Sequence, residues 1–488
     1  MRMIFFLKKH KYLCILFVLI IFFSFYFSYL SLMRHWTFNS SYYDLGIMDQ
    51  TIYNTFRGRL LELTNPTGVN TFKRMAIHND ILLVLFAPFY FIYQGPETLL
   101  VLQSVIIALG ALAVYLLSRY VVRSRGLSLT FSCAYLMYVP LQRAILFDFH
   151  AVTVSTIFLL FMTYFAVRRR YRTSFIFFIL SLFAKENVAL TTMFFGAFFI
   201  FNGIKKSQRQ TLFFGSLIAI VSIFWFIESI WIIIPFFRQS SHFALSRYEE
   251  FGATPQGVIG GIITHPDEVI QRIFHSDTAR YLFVLSAPLV FFSLLAPLWS
   301  VITLPEFAIN LLSNNWNMRN IFFHYTAVIT PFVFIAGIYG ARRLMRKLPC
   351  ITPLMISLPI LIATGVMSYF KSPFPFSREK VVYISPAYQL RYIQLWRKTL
   401  KNENLIISST PKIAPYFTDR KTFYLFDNRY VLADYVIIRT VEIESRHYPY
   451  NTKGLKDTID GYYKELQKSP LFENIFNQNG IEVYKRMR

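Results

Sequence analysis

Long apolar stretches, each ended by a short polar or basic segment, occupy the first three quarters of the chain. They fall at residues 12–32, 97–120, 127–145, 151–167, 173–184, 188–204, 211–235, 280–295, 297–312, 325–341 and 351–369. Most approach the twenty or so residues that an α-helix needs to cross a bilayer. The pattern predicts an all-α polytopic membrane protein with about 11 transmembrane helices. Ile81 to Tyr93 is apolar but short and contains Pro88, so a re-entrant or interfacial segment is expected there, with a full crossing as the alternative. Leu45, Met48, Ile52, Phe56 and Leu60 recur at helical spacing, which predicts a helix over residues 45–60 lying in the membrane interface.

The pattern changes at Ser372. Ser372-Pro-Phe-Pro-Phe-Ser-Arg-Glu-Lys reads as a linker, and short β-type runs follow at Leu405–Ser408, Thr422–Phe426, Tyr435–Arg439 and Ile481–Tyr484. The expected division is a transmembrane domain over residues 1–371 and a small soluble α/β domain over residues 372–488.

Composition agrees with a lipid-embedded chain. Of its 488 residues 55% are hydrophobic and 16% charged, where a soluble globular protein carries about a quarter charged residues. The net charge of +24 would suit nucleic acid, but the cations sit in short clusters between apolar runs and line no single face, so no nucleic-acid partner is expected. The clusters are Lys8/Lys9/Lys11, Arg123/Arg125, Arg168/Arg169/Arg170/Arg172, Lys205/Lys206/Arg209 and Arg342/Arg343/Arg346/Lys347. They follow alternate runs, and the positive-inside rule places them in the cytoplasm of a cell-membrane protein. The N-terminus is then cytoplasmic and the C-terminal domain extracytoplasmic. The first run has no small-residue cleavage site and reads as a retained signal anchor. Cys14 and Cys133 lie in apolar runs and Cys350 beside a basic cluster, so no disulfide is expected.

In this orientation the unusual polar residues collect on the outer side. Asp44 and Asp49 follow the first crossing, with an N-cap role for Asp44 as the competing reading. His78 precedes the short apolar segment, and Asp148 and His150 occupy the turn after the third run. Lys185 and Glu186 lie between two short apolar runs, where charge is costly unless it faces a polar cavity. Arg319, His324 and Tyr325 belong to a polar turn whose cations suit a phosphate. The sequence contains no Walker A loop, dinucleotide fingerprint, His-Glu-x-x-His helix or Gly-x-Ser-x-Gly elbow. An active site on the outer side would therefore draw an activated substrate from the membrane.

Several blocks resemble a known family. Tyr43-Asp-Leu-Gly-Ile-Met-Asp-Gln-Thr-Ile-Tyr-Asn-Thr, His78 before Leu-Phe-Ala-Pro-Phe-Tyr, Asp148-Phe-His, Ala184-Lys-Glu-Asn and His324-Tyr-Thr-Ala-Val-Ile-Thr-Pro-Phe are similar to the domain of unknown function 2079 family of predicted membrane proteins. That family is grouped with the GT-C superfamily of polyprenyl-phosphate-dependent glycosyltransferases. The resemblance implies a GT-C-like membrane domain and transfer of a sugar from a polyprenyl phosphate carrier to an extracytoplasmic acceptor. This chain departs from the adjacent acids common in GT-C enzymes, since a glycine and three apolar residues separate Asp44 from Asp49. The expected catalytic groups are Asp44, Asp49, Asp148 and Glu186. Substrate contacts are expected from His78, His150, Lys185, Arg319, His324 and Tyr325, and Mg²⁺ or Mn²⁺ at Asp44. A transporter or lipid flippase, or a non-catalytic envelope assembly protein, is the alternative.

Overall fold

A computed structural model describes residues 2–444 and 453–487. Most of the chain is helical, and a small sheet closes its C-terminal part. Among the described residues, 5 helices are long and apolar enough to cross a membrane: His10–Trp36, Pro96–Val122, Val188–Lys205, Arg209–Arg238 and Pro353–Lys371. Shorter apolar helices accompany them at Ile81–Phe91, Ala151–Val167, Tyr171–Leu182 and Pro297–Leu312.

The sequence pattern did not show where the apolar runs break. Residues 127–145 divide into Arg125–Leu136 and Val139–Leu146. Pro140 supplies no backbone N–H and biases the residue before it away from helix, so a new helix starts there. Residues 280–295 likewise split: the helix Ser276–Ser286 gives way to 3-10 turns at Ala287–Leu289 and Phe292–Leu295. Between those turns Val290 and Phe291 adopt left-handed φ values of 52° and 56°.

Ile81–Phe91 is a 3-10 segment with Pro88 inside it. Leu82, Leu83, Phe86 and Tyr90 pack into one core with Leu45, Met48, Ile52 and Tyr53. Leu85, Phe91 and Ile92 remain exposed on its other side. The predicted 45–60 helix is shorter and differently placed: a π turn Tyr42–Gly46 leads into the α-helix Ile47–Phe56. Every residue from Ile47 to Asn54 is buried, including Asp49, Gln50, Thr51 and Asn54. An interfacial helix would leave that polar face in water; here the C-terminal region covers it.

The C-terminal sheet has the strand order Phe423–Leu425, Ile407–Ser409, Tyr435–Arg439, Ile481–Arg486, Phe472–Gln478. The first three strands are parallel and the last two pair antiparallel. Four of these strands match runs read from the sequence. Phe472–Gln478 does not, because it is a largely exposed edge strand carrying Glu473, Asn474 and Asn477 in place of a β-branched run.

This region is joined to the helical part by a shared core as well as by the chain. Phe38, Tyr42, Ile47 and Leu63 pack with Ile393, Tyr416, Phe417 and Phe423. Polar contacts register the two surfaces. Thr418 Oγ1 donates to Asp49 at 2.7 Å, and Tyr416 Oη donates to the His35 carbonyl at 2.8 Å. Arg397 bridges Glu97, at the start of Pro96–Val122, and Asp419, at 3.1 and 2.9 Å.

Candidate functional site

Beside the C-terminal region, turns between helices converge on a cavity of about 340 Å³. Leu190, Phe226, Ile230, Trp231, Val258 and Ile259 contribute to its apolar wall. Its polar lining is supplied by His78, Lys185, Glu186, His242, Arg247, Glu306, His324 and Tyr325.

Glu186 lies at the centre of this polar group. It sits in the turn between the helices Tyr171–Leu182 and Val188–Lys205. One carboxylate oxygen is 2.8 Å from His78 Nδ1 and 3.2 Å from His242 Nε2, and the other accepts the Asn79 N–H at 3.1 Å. Burial alone would raise its pKa, but the two imidazoles and their hydrogen bonds hold the carboxyl well below its usual range. Burial, reinforced by Lys185, pulls against this by holding His78 below the ordinary histidine value. The potential ligand atoms of His78, Glu186 and His242 lie within 4.8 Å of one another. Two imidazoles and a carboxylate facing a cavity form a donor set that can hold a divalent cation with a coordination position left open.

Neighbouring turns complete the polar end. Asn187 Nδ2 donates to both Glu306 oxygens at 2.9 Å. Burial lowers the Lys185 pKa against the pull of Glu186. The His324 ring stacks on His150, with centroids 3.8 Å apart, and His150 Nε2 lies 3.4 Å from Asp44 Oδ1. Among the described residues, neither His150 Nδ1 nor His324 Nδ1 has a hydrogen-bond partner. Asp44, His150 and His324 therefore form a line of polar groups leading into the cavity.

The expected site residues do not all meet there. His78, Lys185, Glu186, His324 and Tyr325 line the cavity, and His150 and Asp44 adjoin it through His324. Asp44 caps no helix: the cap position of Ile47–Phe56 is Gly46, without a side-chain bond. The other Asp44 contact is Ser41 Oγ at 3.5 Å, and the Asp44 side chain is 28% exposed. The structure places Asp49 elsewhere, fully buried and accepting from Tyr90 at 2.6 Å and from Thr418. Arg319 is also apart: it donates to the Leu311 carbonyl and lies over the Trp316 ring at 4.7 Å. His242, Arg247 and Glu306 were not singled out from sequence. The signal for the first two was His242-Phe-Ala-Leu-Ser-Arg247, in the long polar segment between the apolar runs 211–235 and 280–295.

Asp148 accepts from Ser40 Oγ at 2.7 Å and pairs with Arg34. Its backbone has a φ of 89°, a region few non-glycine residues adopt. Gln103 holds the turn, donating to the Asp148 and Ile145 carbonyls at 2.8 and 3.0 Å and accepting the His150 N–H at 2.9 Å. Burial pushes the Asp148 carboxyl up to about 6, with Arg34 opposing. A raised carboxyl contributes stability that is complete below its ordinary value of 3.8 and is lost as pH rises through about 6. The melting temperature of Asp148→Asn relative to the parent protein is therefore expected to climb between about pH 4 and 7. A difference that stays flat across this range would show that Asp148 does not titrate there.

The chain belongs to the family described as predicted membrane protein (DUF2079), whose family model matches residues 34–481. The match covers the helical region after the first helix, the residues around the cavity and four of the five strands of the C-terminal sheet. The chain is thus a membrane protein in contact with lipid. No curated protein matches it.

Proposed function

We propose that this member of the family is an inverting glycosyltransferase that takes a sugar from a polyprenyl phosphate and passes it to an acceptor on the extracytoplasmic side. The proposal includes about 11 crossings, a cytoplasmic N-terminus and an extracytoplasmic domain over residues 372–488. The observation that carries it is the cavity with apolar walls and a polar end holding Lys185, Arg247, His324 and the His78–Glu186–His242 cluster. A long hydrocarbon ending in a phosphate-linked sugar matches that distribution of surfaces.

In the transfer, the acceptor hydroxyl oxygen forms a bond to the anomeric carbon while the bond from that carbon to the phosphate oxygen breaks. The electron pair leaves on the polyprenyl phosphate, and Asp44 takes the acceptor's proton. Asp44 suits this role because Asp49, Asp148 and Glu186 are each engaged by closer donors. Lys185, Arg247 and His324 offset the charge that grows on the phosphate, with Arg247 in the place expected of Arg319. A divalent cation held by His78, Glu186 and His242 would add positive charge near that phosphate. Imidazole donors favour Zn²⁺ over the Mg²⁺ or Mn²⁺ expected from sequence.

The test is to offer purified protein in liposomes a radiolabelled polyprenyl-phosphate hexose. Label is expected to leave the carrier, and Lys185→Met should weaken donor binding at least tenfold. Movement of intact donor between leaflets without release of the sugar would favour the transporter reading instead. Glu186→Gln is expected to lower divalent-cation uptake by about tenfold or more, measured by elemental analysis after dialysis. Equal metal content in both proteins would remove the cation from the proposal.

A further inference from the structure

We propose that the end of the bundle opposite the candidate site binds the phosphate headgroup of an anionic membrane lipid. Three helices define that end. Ala151–Val167 starts beside His150, Val188–Lys205 beside Glu186, and Ile329–Lys347 shortly after His324. They contain 17, 18 and 19 residues, which at 1.5 Å per residue is about 26 to 28 Å, close to the thickness of a bilayer's hydrocarbon core.

Where they end, a cleft of about 800 Å³ opens. Its lining includes Arg169, Lys206, Arg342, Arg343, Arg346 and Lys347 and contains no Asp or Glu. The sequence itself has no acid over residues 149–185, 187–227 or 307–378, so these stretches supply no neutralising partner. The helices Tyr171–Leu182 and Arg209–Ile227 both begin at this cleft, and neither has a side-chain cap on its first N–H groups. Uncapped helix N-termini within a ring of cations form an anion site. Topology alone accounts for cations at this end of the helices. It does not account for their gathering around one cleft.

The wall of the cleft indicates a lipid headgroup over a free anion. Leu295 and Leu298 line it, and Leu294, Leu298, Val301 and Leu304 are exposed beside it, providing a surface for acyl chains. Basic pockets between membrane helices hold anionic headgroups in this way.

Trp299 lines the cleft and can report occupancy. Full-length protein in phosphatidylcholine nanodiscs would be titrated with phosphatidylglycerol brominated on its acyl chains, and separately with brominated phosphatidylcholine. Trp299→Phe would identify the quenched signal. Brominated phosphatidylglycerol is expected to quench at mole fractions where brominated phosphatidylcholine does not. Arg342→Gln with Arg346→Gln should weaken this binding by roughly thirtyfold, at about fivefold per charge near the surface. Arg169→Gln with Lys206→Gln should act similarly from a different pair of turns. Equal quenching by the two lipids, or unchanged binding in both paired variants, would overturn the site. Displacement by millimolar inorganic phosphate would overturn its assignment to a lipid. None of these results depends on glycosyl transfer.

Discussion

Asp44→Asn is expected to reduce transfer from a lipid-linked sugar by roughly a hundredfold or more while leaving the protein inserted and folded. Asn keeps the size and polarity of the side chain and removes its charge and basicity. The local structure should tolerate this, because Asp44 caps no helix and its contacts to His150 and Ser41 are 3.4 and 3.5 Å long. A purely structural Asp44 would predict a loss of at most about 1 kcal/mol in stability and little change in turnover. The measurement is release of labelled sugar, with membrane abundance and melting temperature as controls. Retained turnover in a stably inserted Asp44→Asn protein would remove it as the base and shift attention to the His150–His324 pair.

Arg397→Ala is expected to cost about 3 kcal/mol and to loosen the C-terminal region from the helices. Arg397 neutralises both Glu97 and Asp419, and all three side chains are less than a fifth exposed. Removing the guanidinium leaves two poorly hydrated carboxylates without their shared ion-pair partner. The expected readouts are a lower melting temperature and faster proteolysis within residues 372–488. Glu97→Gln in the same protein should recover part of the loss by removing one of the stranded charges. An unchanged melting temperature in Arg397→Ala would mean that the Arg397 bridge does not help to hold the two parts together.

The interface that Arg397 holds could not be read along the chain. Ser372 to Lys380 has the composition of a linker, and a linker implies a loosely tethered domain. The structure instead packs Tyr416, Phe417 and Phe423 against Phe38, Tyr42 and Ile47, residues more than 350 positions away. The same distance in sequence explains Asp49. Its neighbours resemble those of a catalytic acid, and only its partners Tyr90 and Thr418 reveal a buried structural role. His242 and Glu306 joined the site because folding places the loop that carries His242 and the helix Leu304–Leu312 beside Glu186 and Asn187.

Local chemistry was enough for the rest. A run of apolar residues interrupted by arginines has only one low-energy solvent arrangement, helices in lipid with their charged ends in water, so membrane character and the separation of basic from mixed polar turns are legible from the order of residues alone. Four of the five strands of the C-terminal sheet are short β-type runs bounded by turn residues, which is again a local property. Tertiary structure decided which of the candidate polar groups share a cavity, which are consumed by the interface, and where helices break at Pro140 or after Ser286. Those outcomes depend on contacts between segments far apart in the chain. A hydrophobic pattern specifies that a face is buried but carries no information about which distant surface buries it.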